Sequence, residues 1–137
     1  MRFWLSDGAS VAADRASIDG RGDAVHRRVM LTPLTSDEIA RALASLPGWS
    51  LKLNALTRSF NLGSFREAMC FMGRIAFEAE ELNHHPEWTN VYDRVVIRLN
   101  THDVGGVVTA RDVALALRIQ RIAEKGAGIS SLAAERG

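Results

Sequence analysis

The chain has 137 residues, of which 47% are hydrophobic and 24% charged, and a formal net charge of +1. This length predicts one hydrophobic core, and the composition argues against disorder of the whole chain. No apolar run approaches the roughly 20 residues that span a bilayer, and the charge gives no reason to expect nucleic acid as a direct partner. The single cysteine, Cys70, cannot form an internal disulfide, so we expect a cytoplasmic protein. From the charge and the short apolar runs, we expect no membrane partner.

Residues 1–32 differ from the rest of the chain. Glycines and charges of both signs interrupt any helical or alternating period, which predicts a flexible N-terminal extension. The apolar block Phe3-Trp4-Leu5 is too short for a signal peptide, and several aspartates argue against a transit peptide. Met30 is a possible alternative start, which would make the preceding residues an upstream addition.

Residues 33–126 are expected to form the folded domain, followed by a tail at 127–137. The domain begins with a helix, because Thr35 and Glu38 have the spacing of a capping box. Apolar residues then recur at helical spacing, and Pro47-Gly48 is expected to end the helix.

A hairpin of two strands is predicted next. Trp49 to Leu53 alternates apolar and polar residues as a half-buried strand does, and Asn54-Ala55 is the expected turn. The apolar residues of the second strand share one face, and these are Leu56, Phe60 and Leu62.

The longest helix is predicted to begin at Phe65 and to end before Pro86, because a proline disfavours a helical residue before it. Cys70 is expected to be packed in the core, together with an apolar stripe that consists of Ala68, Met69, Met72, Ile75, Ala76, Ala79 and Leu82. Phe71 and Phe77 fall off that stripe. They indicate a second covered surface, such as a contact between copies of the chain.

Two further strands and a last helix complete the order helix, two strands, helix, two strands, helix. The strands, Trp88 to Tyr92 and Val95 to Leu99, are expected to be joined by a turn at Asp93-Arg94. By the same alternation, His102 lies on the face without the aliphatic residues. The last helix is expected to run from Ala110 to about Lys125, with Thr109 and Asp112 as its cap and with Gly126 and Gly128 closing it.

Three histidines, His84, His85 and His102, lie between these elements and indicate acid–base chemistry, a metal site or a chance cluster in loops. Adjacent histidines beside a proline seldom direct both rings at one ion, and the usual zinc spacing is absent, so we expect no metal. Proton transfer needs two imidazoles and an orienting acid. Glu80, Glu81, Asp103 and Asp112 are candidates for that acid.

The segments Glu81 to Tyr92 and Leu99 to Gly106 closely resemble the signature of the pterin-4a-carbinolamine dehydratase family, and the resemblance runs from about Leu34 to Ala123. It implies an α+β fold in which a four-stranded antiparallel sheet carries three helices on one face, assembled as a homodimer or homotetramer. The implied reaction is dehydration of 4a-hydroxytetrahydrobiopterin to quinonoid dihydrobiopterin. It needs no metal or organic cofactor and recycles the pterin of aromatic amino-acid hydroxylases.

The resemblance also implies roles for individual residues. His84 and His102 are the candidate acid and base at the reacting carbon, and His85, also a candidate catalytic residue, mainly holds the pterin and could assist the proton transfer. Glu80 lies one helical turn before His84 and could orient that ring, or it could be an exposed helix charge. Pro86 fixes the turn after the histidine pair, and Trp49 either walls the pocket or packs in the core.

Asp112 matches an acidic family position near the site, and it could equally serve only as the helix cap with Thr109. Family members have one residue between the glycine pair and this cap. Here Val107 and Val108 make two. The extra residue could shift Asp112 relative to His102, so Asp112 is the least secure of the implied site residues.

A non-catalytic role is the alternative function. Relatives with the implied fold act as the dimerisation cofactor of a homeodomain transcription factor or as assembly factors for the carbon-fixing enzyme. Those assembly factors tend to have lost histidines of the motif, whereas this chain keeps His84, His85 and His102.

Overall fold

A computed structural model describes residues 20–135, with the side chains of residues 22–126, and the chain forms two compact units, Met1–Met30 and Leu31–Gly137. In the first unit, helix α1 spans Gly20–Met30, a stretch for which we predicted no regular structure. Asp23 in its first turn and Arg27 in its last turn complement the helix dipole, a signal that apolar periodicity misses. Residues 1–19, the larger part of the predicted flexible extension, lie outside the described residues.

The second unit has the predicted order of elements. It contains α2 (Ser36–Ala44), β1 (Ser50–Lys52), β2 (Ala55–Asn61), α3 (Phe65–Glu81), β3 (Glu87–Val91), β4 (Arg94–Leu99), a short 3₁₀ turn (His102–Val104) and α4 (Ala110–Glu135). The strands pair antiparallel in the order β1-β2-β4-β3. The α+β class is therefore confirmed, but the described residues contain four α-helices where we predicted three.

The core of the second unit lies between one face of the sheet and the helices α2, α3 and α4. Phe60, Val95 and Ile97 of the central strands are buried together with residues of α3 and α4, whereas the alternate residues Ser59 and Val96 are exposed or half-buried. This alternation is the period of two that a sheet covered on one face requires.

The first hairpin turns one residue earlier than we predicted. Leu53 and Asn54 form the two-residue loop, and both have positive φ, 46° and 58°, as a type I′ hairpin turn requires. Ala55 pairs with Lys52 and is fully buried in β2. Leu53 is consequently 87% exposed and does not belong to a half-buried strand. The second hairpin likewise turns one residue earlier, since Val91 pairs with Arg94.

The buried stripe of α3 contains three of the predicted residues, Ala68, Ile75 and Ala79, and Phe71, which we predicted to lie off it. These residues follow the spacing of one helical face. Phe71 therefore lies in the core, while Met69 is 38% exposed and Cys70 is also exposed. Phe77 does lie off the stripe, with 81% of its surface exposed.

Helix α4 continues to Glu135, beyond the end expected at Lys125. A glycine inside a helix costs about 1 kcal/mol relative to alanine, which is too little to stop a helix that is already packed. The glycines at 126 and 128 therefore lie within α4. No helix in the described part of the chain has both the length and the apolarity to cross a bilayer.

The capping box at the start of α2 is confirmed, and it leads to a stability prediction. The backbone N–H of Thr35 donates to Glu38 Oε2 at 2.8 Å, and the Thr35 hydroxyl donates to the same oxygen at 3.0 Å. These hydrogen bonds lower the pKa of Glu38 below its ordinary value. We expect Thr35→Ala to lower the free energy of unfolding by about 1 kcal/mol at neutral pH.

This loss should depend on pH in one direction. Because the folded-state pKa of Glu38 lies below the unfolded value, its contribution is full above the ordinary carboxyl range and is lost as pH falls through the folded-state value. Urea unfolding at neutral and acidic pH should show the Thr35→Ala difference shrinking in acid. Ser36→Ala, beside the cap, is the control. An equal loss in that control, or a Thr35→Ala difference that grows in acid, would contradict the prediction.

Candidate active site

His84 is positioned by the backbone at the end of α3. The helix ends in a Schellman motif, in which Asn83 N–H donates to Glu80 O at 3.0 Å and His84 N–H donates to Ala79 O at 2.9 Å. Asn83 has a φ of 47°, a left-handed conformation that asparagine tolerates. Asn83 therefore ends the helix, and Pro86 follows three residues later instead of stopping it as we predicted.

The His84 side chain meets Asp112 from the first turn of α4. His84 Nε2 lies 2.6 Å from Asp112 Oδ1, the residue Asp112 is 0% exposed, and His84 is 7% exposed. A hydrogen bond between an imidazole and a carboxylate is strong in a buried site, because little water competes for either partner. This pair is the central contact of the site.

The second oxygen of Asp112 caps α4. Asp112 Oδ2 accepts the backbone N–H of Thr109 at 2.8 Å, and Arg111 N–H donates to Thr109 Oγ1 at 3.3 Å. Thr101 Oγ1 lies 2.8 Å from the same carboxylate oxygen. The two alternatives for Asp112 are therefore both realised, since one oxygen serves the helix cap and the other meets His84.

Glu80 binds His85 and not His84. Glu80 Oε2 lies 2.8 Å from His85 Nε2, and the two side chains are 78% and 62% exposed. The suggestion that Glu80 orients His84 assumed that the helix continues to residue 84. Because the chain leaves the helix at Asn83, the side chain of His84 instead reaches α4.

The loop after β4 brings the third histidine to the site in spite of the inserted valine. Gly105 and Gly106 have positive φ, 90° and 73°, and Gly106 N–H donates to Thr101 O at 3.0 Å. Val107 then pairs with Thr101, while Val108 is 3% exposed and joins the core. The two valines thus occupy separate positions, and Asp112 still reaches His84.

These segments enclose a cavity of about 170 Å³. Its lining residues are Asn83, His84, His85, Asn100, Thr101, His102, Asp103 and Arg111. The three predicted histidines are therefore together at one cavity, and His102 is exposed there. Neither Trp49 nor Pro86 is among the lining residues. Trp49 is buried in the core against Phe60, with ring centroids 6.1 Å apart, and its indole N–H has no acceptor among the described residues.

Thr101 and Arg111 were not predicted as site residues. The alternation that buries Val95, Ile97 and Leu99 continues to Thr101, so a polar residue on the aliphatic face was the available signal. Arg111 has a weaker signal, because it only precedes Asp112 in the chain.

Arg118 of α4, the helix that carries Asp112, binds the end of α3, the helix that precedes His84. Its guanidinium lies 2.6 Å from Glu78 Oε2 and 2.9 Å from Glu81 Oε2, both in the last turns of α3. The hydrogen bond to Glu78 is the main cause that raises the pKa of Arg118. This link favours a fixed spacing between the end of α3 and α4.

A larger cavity of about 510 Å³ lies elsewhere, between β2, α3 and α4. Its polar lining includes Arg58 and Arg74, but it contains no histidine and no buried carboxylate. The smaller cavity is the better candidate because it holds groups that can exchange protons near neutral pH. Across the described residues, no three side chains suited to a metal ion converge.

The larger part of the chain matches one known protein family. The model of the pterin 4 alpha carbinolamine dehydratase family matches residues 32–122. The chain belongs to this family. The matched range contains all three histidines of the site and Asp112.

Relatives in the pterin 4 alpha carbinolamine dehydratase family are similar over nearly their whole length. A protein of Opitutus terrae is 58% identical over 97 residues, covering 71% of this chain and 100% of the relative. One from Prochlorococcus marinus (strain MIT 9515) is 47% identical, covering 67% of this chain and 95% of the relative. Both carry the name pterin-4-alpha-carbinolamine dehydratase as a provisional assignment.

A solved structure shows the same fold. The Brucella melitensis protein described as a transcriptional coactivator/pterin dehydratase superimposes with a TM-score of 0.64 at 42% identity. The match covers 66% of this chain and 98% of that protein.

Proposed function

We propose that the chain catalyses the dehydration of 4a-hydroxytetrahydrobiopterin to quinonoid dihydrobiopterin, a step in recycling the pterin that aromatic amino-acid hydroxylases use. This proposal rests on one observation: His84, which is buried and paired with Asp112, and His102, which is exposed, line the same cavity. Membership of the family supports the choice of substrate.

The reaction requires two proton transfers. A base must take the proton from nitrogen 5 of the pterin, and an acid must protonate the hydroxyl that leaves carbon 4a as water. We assign the base to His84, because the Asp112 carboxylate stabilises the imidazolium that forms. His102 is the acid, and its exposure lets it regain a proton from solvent. His85, held by Glu80, binds the pterin at the rim. The chemistry uses no cofactor.

Self-association is part of the proposal. Phe65, Met69 and Phe77 of α3 are 51%, 38% and 81% exposed, which places large apolar side chains in water on one helix. We expect a second copy of the chain to cover them, giving a homodimer or homotetramer. The cytoplasmic location stays a prediction from the single cysteine.

The activity can be measured directly by generating the 4a-hydroxypterin in situ and following its decay. The purified chain should accelerate the decay, and His84→Ala and His102→Ala should each reduce kcat by about 10²- to 10⁴-fold. His26→Ala is the matched control, because this fourth histidine is exposed on α1 and lies outside the matched family range. No acceleration by folded protein, or full activity in His84→Ala, would refute the proposal.

A binding role is the second candidate, favoured by the description of the Brucella melitensis structure as a transcriptional coactivator as well as a dehydratase. It predicts folded protein without turnover and a stoichiometric protein partner on co-purification. The retention of His84, His85 and His102 favours the enzyme.

A further inference from the structure

Two buried threonine hydroxyls contact the Asp112 carboxylate network on the side of Oδ2. Thr101 Oγ1 lies 2.7 Å from Thr109 Oγ1 and 2.8 Å from Asp112 Oδ2. Thr101 is 2% exposed, and Thr109 and Asp112 are 0% exposed. Buried polar groups need hydrogen-bond partners, so the hydroxyl protons of Thr101 and Thr109 must each have an acceptor within this group of side chains.

Counting the protons gives one consistent arrangement. A hydroxyl donates one proton, and an ionised carboxylate only accepts. With Asp112 as a carboxylate, Thr101 donates to Oδ2 at 2.8 Å and the Thr109 hydroxyl donates to Thr101 Oγ1 at 2.7 Å. In the reverse arrangement Thr109 would donate to Oδ2 across 3.5 Å and leave two oxygens 2.8 Å apart, Thr101 Oγ1 and Oδ2, with no proton between them. Thr109 Oγ1 in turn accepts Arg111 N–H at 3.3 Å. Each of these protons has one acceptor.

The same count determines the tautomer of His84. Asp112 Oδ2 receives two donors at 2.8 Å, Thr101 O–H and Thr109 N–H. Oδ1 has one partner among the described residues, His84 Nε2 at 2.6 Å. Because Oδ1 of the carboxylate accepts, Nε2 must carry the proton. The lone pair of the neutral ring is therefore on Nδ1.

We propose that Thr101 is a positioning residue, whose hydroxyl donates to Asp112 Oδ2 and fixes the orientation of the carboxylate, so that Oδ1 accepts from His84 Nε2–H and Nδ1 is free to exchange protons with the substrate. This inference rests on the proposed dehydration. In that reaction His84 Nδ1 takes the proton from nitrogen 5, the double bond between nitrogen 5 and carbon 4a forms, and the hydroxyl leaves as water with a proton from His102. Thr101 acts on this step through Asp112 and His84.

The tautomer can be read from the unmodified chain without substrate. Long-range ¹H–¹⁵N NMR distinguishes a protonated from an unprotonated ring nitrogen, and His84→Gln assigns the signals. We expect the neutral His84 ring to carry its proton on Nε2. A neutral ring with the proton on Nδ1 would overturn the proposal, and this outcome can be read even if a threonine variant does not fold.

Variants test whether Thr101 is responsible. Thr101→Val keeps the branched shape and removes one of the two donors to Asp112 Oδ2, so the orientation of the carboxylate is less firmly held. We expect kcat to fall about 10- to 100-fold and KM to change less than about threefold. The neutral His84 ring should keep its proton on Nε2, because the carboxylate still only accepts, but that proton should exchange faster with water. Thr101→Ser restores the hydroxyl and should recover kcat to within about threefold. Thr89→Val, an exposed threonine of β3, is the matched control and should behave as the unmodified chain.

The outcomes separate the two proposals. If the unmodified chain does not dehydrate the 4a-hydroxypterin, the proposed function fails, while the His84 Nε2–H signal and its exchange with water in the unmodified chain and in Thr101→Val still test the assignment. If the chain is active, an unchanged kcat and an unchanged Nε2–H exchange rate in folded Thr101→Val would overturn the role of Thr101. The same holds if Thr101→Ser is as impaired as Thr101→Val.

Discussion

Asp112→Asn is expected to reduce kcat by about 10²- to 10⁴-fold while the protein remains folded. The amide has the shape of the carboxylate, and its oxygen can still accept from Thr109 N–H and Thr101 O–H. Its NH₂ group then faces His84 Nε2 at the 2.6 Å contact, where it can only donate. His84 must accept at Nε2 and carry its proton on Nδ1. The base then lacks its lone pair on Nδ1.

The measurement is steady-state turnover of the 4a-hydroxypterin, with circular dichroism to establish that the variant is folded. Glu80→Gln is the matched control, because Glu80 makes the other carboxylate–imidazole contact, with His85, and is 78% exposed. It should change kcat less than about tenfold, since exposed pairs of this kind contribute little. Equal losses in both variants would show that burial of the Asp112 contact has no special effect on catalysis.

Phe71→Ala is expected to lower the free energy of unfolding by about 3–5 kcal/mol. Phe71 is 5% exposed, and its ring centroid lies 4.9 Å from that of Phe60 across the space between α3 and the sheet. Truncation removes this contact and leaves a cavity in a close-packed core. Since small domains are stable by only about 5–15 kcal/mol, a large share of the total would be lost. Urea unfolding at one protein concentration measures the effect.

Phe77→Ala is the control on the same helix. Phe77 is 81% exposed, so its truncation should change the stability of a single copy by less than about 0.5 kcal/mol. Sedimentation should show weaker self-association if a second copy covers Phe77 as we propose. A loss of stability at Phe77 that equals the loss at Phe71, measured in dilute monomer, would contradict the burial pattern.

The positions of the secondary-structure elements were largely predictable, whereas the edge of the buried face of α3 was not. Capping residues and apolar spacing located α2, the hairpins and the start of α4. In α3, Ala68, Ile75 and Ala79 were placed correctly, but apolar residues occupy several faces, so the spacing put Met69 in the stripe and Phe71 outside it. The sheet decides between them, because Phe60 offers a partner on the side that Phe71 faces.

The site shows the same division. The sequence by itself determined the family, the three histidines and the candidate acids, because these depend on residue identity and local spacing. The tertiary structure decided which acid serves which histidine, pairing His84 with Asp112 and His85 with Glu80. Asn83 ends α3 in a left-handed conformation and directs His84 to a helix 28 positions further along the chain. The physical reason is that local spacing cannot specify contacts between distant segments, which depend on how the helices pack on the sheet.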